Sequence, residues 1–508
     1  MNHKLVLNSA LLLGSIAVSA CSVGATTSPT YKINAASAYG TWDGWGTSLA
    51  WWAKAFGNRD DLADLAFTTN SVTLNGVVLP GLGLNIVRYN AGASTSSSYN
   101  GLTMKLSSSM DPNREMDGYW LDGYSNSPLS ASWNWAADLN QRTMMQKAKL
   151  RGANIFELFS NSPIWWMTVN QDPQGAANGG ANLQNSYLDQ HAVYLATIAK
   201  YAQTNWGITF NSVEAFNEPS SNWWSTANSQ EGCFIGASTQ QSIIAYLRSE
   251  LNNQGLANVM VSASDENTYD QATTTWQSIS GAAKAQVGRF NVHGYQYAGG
   301  RRDLLAAAVA PTGQKIWNSE YGDGDASGQE LIDSLMLDFS YLHPSGWVYW
   351  QVLDYGGWGA IQSNLSSSSF STANTKYYVM AQFTRHIRPG MKIIANPNST
   401  GSMVSAYDPV AHQLIIVAAN AGKTSQTMHF DLTAFKTVSG TSYNGQGLVQ
   451  RWDTQTGGGY LATSTGSDTG KGDKHSYHAD TFLNGKLFSA TFSGYTVQTF
   501  EIDNVYVN

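Results

Sequence analysis

The sequence is poor in cysteine, proline and charge. Its 508 residues hold two cysteines, Cys21 and Cys233, so a disulfide framework cannot support the fold. Charged residues make up 12% of the chain, about half the ordinary globular share. Thr, Ser, Asn and Gly supply the polar surface instead, a balance that suits an exported protein. No run of Lys or Arg interrupts the net charge of −7, which argues against a nucleic-acid partner. The nine histidines are scattered and no His-Glu-x-x-His set occurs, so no metal is expected and no cofactor is needed. No solenoid-period repeat is present, and no apolar stretch is long and unbroken enough to span a membrane.

The first residues read as an export signal. Lys4 supplies a positive start, residues 5–18 are mostly apolar but broken by Asn8 and Ser9, and the small Ser19 and Ala20 follow. Two fates are open. Cleavage after Ala20 yields a secreted protein; alternatively Val18-Ser19-Ala20-Cys21 resembles a lipobox, and lipidation of Cys21 yields a membrane-anchored lipoprotein with Cys233 unpaired. A polar linker occupies residues 22–30.

Beyond it, eight short apolar runs stand out at residues 44–52, 84–90, 155–160, 212–217, 259–263, 290–295, 315–320 and 346–352. Amphipathic stretches lie between most of them; residues 187–205 are the clearest, and 240–253, 330–341 and 59–67 behave similarly. Strand–helix alternation over eight units predicts a closed (β/α)8 barrel over residues 43–390. The runs share one polar end, where barrel enzymes place reacting groups: Arg88 and Asn90, Ser160 and Asn161, Asn217 and Glu218, Asp265 and Glu266, His293 and Tyr295, Glu320, Gln351 and Asp354. Two connections, 91–138 and 161–186, are long and aromatic (Tyr119, Trp120, Trp133, Trp135, Trp165, Trp166) and read as ordered walls of a cleft. From about residue 391 alternating strands replace helical periodicity, predicting an appended antiparallel β-sandwich to residue 508, with 457–474 as an exposed loop.

Eighteen Trp and 25 Tyr supply flat faces that stack on sugar rings, a neutral ligand class, although most aromatics fill cores. Two acids stand in strong contexts. Phe216-Asn217-Glu218-Pro219 ends the fourth run, and Pro219 forces the chain to turn there. Ser319-Glu320-Tyr321-Gly322 ends the seventh, with Tyr321 a candidate to orient the carboxylate. Glycosidic hydrolysis requires such a pair, one carboxyl to protonate the leaving oxygen and one to attack or to activate water. The two runs face one another across the predicted mouth. Around them, Arg88 is a candidate cation, Tyr295 a candidate donor, and Asn161, Asn217 and His293 candidate sugar contacts. Trp51 and Trp350 (with Trp52 beside the first) either floor the sugar site or pack the barrel. Asp323 and Asp325 resemble the start of a calcium loop but lack its closing Glu, so a turn is expected.

With residues 44–52, Asn85-Ile86-Val87-Arg88-Tyr89-Asn90, Ser162-Pro163-Ile164-Trp165-Trp166-Met167 and both acidic motifs in hand, the chain resembles glycoside hydrolase family 30 over about residues 35–505. The opening Trp-Gly-Thr-Ser-Leu-Ala-Trp-Trp and Gln230-Glu231-Gly232-Cys233 are similar to the endo-β-1,6-galactanases of that family. The resemblance implies Glu218 as acid/base, Glu320 as nucleophile, retention by double displacement, and a β-domain that takes a strand from about residues 31–39. The expected partner is a polysaccharide or oligosaccharide, acted on by a monomer. A β-1,6-glucanase or xylanase on the same scaffold, or a non-catalytic carbohydrate-binding protein, stands as the alternative.

Overall fold

A computed structural model describes residues 28–396, 401–456 and 474–508. The export segment 1–20, Cys21, most of the linker 22–30 and nearly all of the 457–474 loop lie outside the described residues. Eight parallel strands close into a barrel: β1 Gly44–Ser48, β2 Ile86–Asn90, β3 Ile155–Phe159, β4 Ser212–Glu214, β5 Met260–Glu266, β6 Val287–His293, β7 Lys315–Tyr321 and β8 Gly346–Tyr349. Each is followed by a helix: α1 Asp60–Phe67, α2 Leu139–Leu150, α3 Leu188–Tyr201, α4 Ala237–Asn253, α5 Tyr269–Ser278, α6 Arg302–Val309, α7 Gln329–Leu337 and α8 Thr375–Thr384.

Local chemistry explains these elements. Asp60 and Asp61 favour the positive end of α1, while Leu62, Ala63, Leu65 and Ala66 form its buried stripe. Ile243, Ile244, Leu247 and Leu251 recur at helical spacing on α4 and are buried. β1 starts at Gly44 with φ 143°, and a Cβ there would lie 1.8 Å from Asn85 Oδ1. That carbonyl instead accepts the Trp45 N–H at 3.1 Å, which closes the barrel floor.

The barrel interior is polar, where branched aliphatics are usual. Glu157 on β3 is fully buried, yet it accepts hydrogen bonds from Arg88 (β2, 2.9 Å), Ser212 (β4, 2.8 Å), Ser262 (β5, 2.8 Å) and Asn291 (β6, 3.1 Å). It also pairs with Arg289, whose guanidinium lies 3.4 Å over the Trp317 ring. One carboxylate therefore staples five strands.

The second domain is a sandwich. Its large antiparallel sheet runs Ala38–Thr41, Lys392–Ile394, Met403–Asp408, Gln413–Asn420, Thr496–Ile502, Gln446–Gln455 and Thr441–Tyr443, with Lys474–Phe482 also on Gln446–Gln455. A small sheet of Thr30–Lys32, Gln426–Asp431 and Leu487–Phe492 packs over it through Phe430, Phe488, Phe492 and Phe500. The N-terminal segment thus contributes two strands, one to each sheet, rather than one. α8 lies against the large sheet, where Gln382 Oε1 accepts from Thr499 Oγ1 at 2.6 Å and Gln382 Nε2 donates to Thr454 Oγ1 at 2.9 Å.

Glu157→Ala leaves Arg88 and Arg289 buried without their shared anion, so it should cost about 3–5 kcal/mol. Thermal unfolding followed by circular dichroism checks this; an unchanged midpoint would contradict the stapling role.

Candidate active site

The β4 ladder ends at Glu214, three residues short of the sequence expectation, because the chain leaves the sheet to deliver Glu218. Glu218 sits in the left-handed region at φ 49°, a strain of order 1–3 kcal/mol that surrounding contacts must over-determine. Its N–H donates to the Asp265 carbonyl at 2.7 Å, and its own carbonyl accepts the Trp224 indole N–H at 2.9 Å. Trp224 fits there because residue 232 is glycine; a Cβ would lie 2.1 Å from the indole. Neighbouring Glu231 is buried and ties the β2 and β4 loops together through Ser94 Oγ (2.8 Å) and the Met116 N–H (3.1 Å). Burial pushes its carboxyl up to about 8.

Glu218 and Glu320 converge. Glu218 Oε1 accepts from Asn267 Nδ2 at 2.6 Å and from His293 Nδ1 at 3.2 Å. Glu320 accepts Arg88 Nη1 on Oε2 at 3.0 Å and the Tyr295 hydroxyl on Oε1 at 2.8 Å. Oxygens of the two acids and a ring nitrogen of His293 all lie within 4.8 Å of one another. β4 and β7 are not diametrically opposed; they stand three places apart, with β5 and β6 between them. That interval is filled by Asp265 and His293, which support both acids from below.

Electrostatics follow from burial and charge. Burial opposes a charged His293, yet Glu320 and Asp265 lift its pKa to about 10, so it is a cation at neutral pH. Burial also works against the Asp265 anion, but Arg88 and His293 hold its pKa down to about 2. Burial pushes Glu320 up from the usual carboxyl range, and His293 and Arg88 pull against that shift. Glu214, four residues before Glu218, is pushed well above the usual carboxyl range by burial and by Asp265.

Arg88 and His293 are fully buried, with no surface on the cleft, so they reach a ligand through the two acids rather than by direct contact. Trp51, Asn161, Asn217, Tyr295 and Trp350 do line the cleft, which holds about 500 Å³. Asn161 keeps both side-chain polar atoms, Asn217 its Oδ1 and Trp51 its Nε1 without a protein partner although buried. Such atoms are what a polyhydroxylated ligand would satisfy. Trp51 meets Trp350 edge to face at 5.0 Å, and Arg114 lies 4.5 Å over the Trp51 ring.

Several expectations are corrected. Tyr321 packs on Trp347 at 5.2 Å, on the outer face of β7, and does not orient Glu320; Tyr295 does. Trp52 is core. The aromatics of the long connections do not line the cleft: Trp120, Trp133 and Trp135 form a stacked column that ends on Tyr201 of α3. The cleft's added aromatics are Trp223 and Trp224 after β4, and Tyr355 and Trp358 after β8. Asp323 and Asp325 do form a turn, as expected: the Asp325 N–H donates to Asp323 Oδ1 at 2.7 Å, and Asp323 pairs with the buried Lys376 at 2.6 Å.

Glu218, His293 and Glu320 are the one close acid–histidine cluster among the described residues. A divalent cation there would have to displace the His293 proton and compete with Arg88, so the donor set does not suit a metal.

A family model for O-glycosyl hydrolase family 30 matches residues 25–312. An endo-beta-1,6-galactanase of Hypocrea rufa is 51% identical over 495 residues, covering 97% of this chain and 99% of that protein. The chain belongs to family 30 of the glycosyl hydrolases. Solved structures share its fold. A conserved exported protein from Bacteroides fragilis superposes with TM-score 0.71 at 18% identity, covering 93% of this chain and all of that one. The catalytic domain of GH30 xylanase C from Talaromyces cellulolyticus gives 0.67 at 18%, covering 94% and all of that chain.

Within this family 30 site, sequence reading overlooked Glu157, Asn267, Arg114, Trp223, Trp224 and Trp358. Glu157 carried a signal, a lone charge inside the apolar Ile-Phe-Glu-Leu-Phe of β3. Asn267 stands one residue beyond the strand-end acids Asp265 and Glu266, within reach of the same rule.

Because the His293 pKa is raised from 6.5 to about 10 on folding, its ion pairs contribute stability in full below about pH 6.5 and lose it as pH rises through about 10. The melting-temperature gap between the native protein and His293→Gln should therefore shrink steadily over that window; a gap independent of pH would contradict a charged His293.

Proposed function

We propose that the protein is a retaining endo-β-1,6-galactanase in which Glu320 is the nucleophile and Glu218 the general acid/base. The observation that carries the reading is the approach of the two acids within 4.8 Å. Retaining pairs stand about 5–5.5 Å apart, whereas inverting pairs leave room for a water at about 6.5–9.5 Å. The division of roles rests on their partners. Glu320 receives the Arg88 guanidinium and the Tyr295 hydroxyl, so an anion is best supported there. Glu218 is touched by the Asn267 amide and by a His293 proton that Glu320 Oε1 also faces at 3.6 Å.

In the first step Glu320 attacks the anomeric carbon while Glu218 gives its proton to the departing oxygen. The C–O bond breaks and a glycosyl ester forms on Glu320. In the second step Glu218, now a base, takes a proton from water, which attacks the same carbon and frees Glu320. Stacking surface extends past a single ring, since Trp223 (46% exposed) and Tyr355 (61%) rim the cleft, as internal binding of a chain requires. The linkage rests on the Hypocrea rufa relative and on the motifs at Trp51 and Glu231. Export, either with cleavage after Ala20 or with lipid attachment at Cys21, and action as a monomer belong to the same proposal. The positive, apolar and small-residue order of residues 1–21 supports the export step.

De-arabinosylated arabinogalactan should yield β-1,6-linked galacto-oligosaccharides of several lengths, with β-1,6-glucan and xylan nearly untouched. Early products should be β-anomers by proton NMR; α-anomers would overturn retention. Glu320→Gln should fold normally and lose about 10⁴-fold or more in kcat, and a fully active variant would remove Glu320 from the reaction.

A further inference from the structure

Among the described residues, both donors that reach the Glu218 carboxyl reach the same oxygen. Asn267 Nδ2 lies 2.6 Å and His293 Nδ1 3.2 Å from Oε1. Asn267 follows β5 and lines the cleft, whereas His293 ends β6 and is fully buried beneath it. The two therefore approach from different elements. A carboxyl oxygen facing two N–H groups can accept but cannot also point a proton at either of them. The amide orientation of Asn267 follows from the same constraint: His293 already donates to Oε1, so the group beside it must be the amide nitrogen, not the carbonyl.

We infer that Asn267 is a positioning residue that, with His293, reserves Glu218 Oε1 as an acceptor and confines the transferable proton to Oε2. This rests on the acid/base reading of Glu218. The proton then has one place to ride, and the left-handed backbone at residue 218 fixes where that oxygen points. When the glycosidic oxygen leaves, the O–H bond of Oε2 breaks, the proton passes to that oxygen, and the resulting carboxylate keeps its two donors on Oε1. In the second step water returns a proton to Oε2, and the cycle closes without rotation of the carboxyl group. The other groups facing Glu218 are Glu320 from β7, Tyr295 and Tyr297 beyond β6, and Asp265 from β5, whose carboxylate is committed to Arg88. Arg114 and Asp354 stand elsewhere along the cleft wall.

The test uses Asn267→Leu, which removes the donor, and Asn267→Asp, which keeps the shape but substitutes an acceptor. Residue 267 is only half-buried, so both should fold. kcat/KM is measured on a β-1,6-galacto-oligosaccharide, whose sugar leaving group needs a proton, and on a dinitrophenyl β-1,6-galactobioside, whose leaving group does not. Glu218→Ala runs beside them. On the oligosaccharide both Asn267 variants should lose about ten- to a hundredfold, and on the dinitrophenyl substrate less than about twofold. The alkaline limb of the pH profile should move to higher pH, further for Asp than for Leu. Equal losses on the two substrates with an unmoved pH profile would mean that Asn267 merely shapes the cleft, and no loss on either would also overturn the inference. Glu218→Ala separates the two levels: a leaving-group-dependent loss there upholds the acid/base reading whatever Asn267 does, and a loss blind to the leaving group overturns both.

Discussion

One guanidinium organises the mouth of this barrel. Arg88 rises from β2 and meets carboxylates from β3, β5 and β7: Glu157 at 2.9 Å, Asp265 in a shorter contact, and Glu320 at 3.0 Å. The Phe159 ring covers its face at 4.1 Å. A planar fork of five donors can serve three acids at fixed angles, which a lysine could not. Burying such charges costs several kcal/mol each unless every one is paired. Here Arg88, Arg289 and His293 offset Glu157, Asp265 and Glu320, while burial disfavours a charge on Glu214. The charges nearly cancel within the barrel, and removing any one member leaves another stranded. That mutual dependence holds Glu320 still, since its oxygen cannot shift without breaking a pair in the core.

Much of the architecture was legible because it repeats. Eight apolar runs sharing one polar end announce a barrel, and each run became a strand, with ends displaced by a few residues where the chain leaves the ladder to aim a side chain. Glu218 and Glu320 were legible for the same reason: each stands where an apolar run meets a turn. What escaped is what periodicity cannot encode. Glu157 interrupts an apolar run, and its partners lie on four other strands. The hairpin Val72–Leu74 to Val77–Leu79 was readable from its Asn75-Gly76 turn, both residues at positive φ, yet it falls between two stronger signals. Glu231 and Gly232 were visible as a motif, but their jobs, tying the β2 and β4 loops together and seating Trp224 under Glu218, appear only in three dimensions.

Aromatic content misled in placement rather than in kind. The long connection after β2 is rich in Trp, and its rings stack with Trp135 on Tyr201 at 3.6 Å, well away from the acids. A long loop over a barrel needs its own core, because its backbone would otherwise fray, and stacked indoles supply one. The rings at the cleft follow β1, β4 and β8, and each is fixed by contacts to a neighbouring strand end or loop rather than by a stack of its own. Trp51 shows this: its backbone N–H and that of Trp52 share Gln351 Oε1 at 2.9 and 3.1 Å, so the connection after β8 fixes the backbone that carries the Trp51 ring after β1.

These constraints divide the labour between core and rim. The two acids with Arg88, His293 and Tyr295 can act on any sugar whose anomeric carbon reaches Glu320, since none of those contacts reads a hydroxyl pattern. Discrimination must come from groups that do, and the cleft supplies them on connections rather than strands: Asn161 after β3, Asn217 and Trp223 around β4, Arg114 after β2, Asp354 and Tyr355 after β8. Asn161 and Asn217 hold buried polar atoms without protein partners, and a site built that way penalises a ligand lacking the matching hydroxyl by leaving those atoms unpaired. A change of sugar specificity in this scaffold would therefore proceed through those connections without disturbing the charge network, whose cost of rearrangement protects the chemistry from drift in the rim.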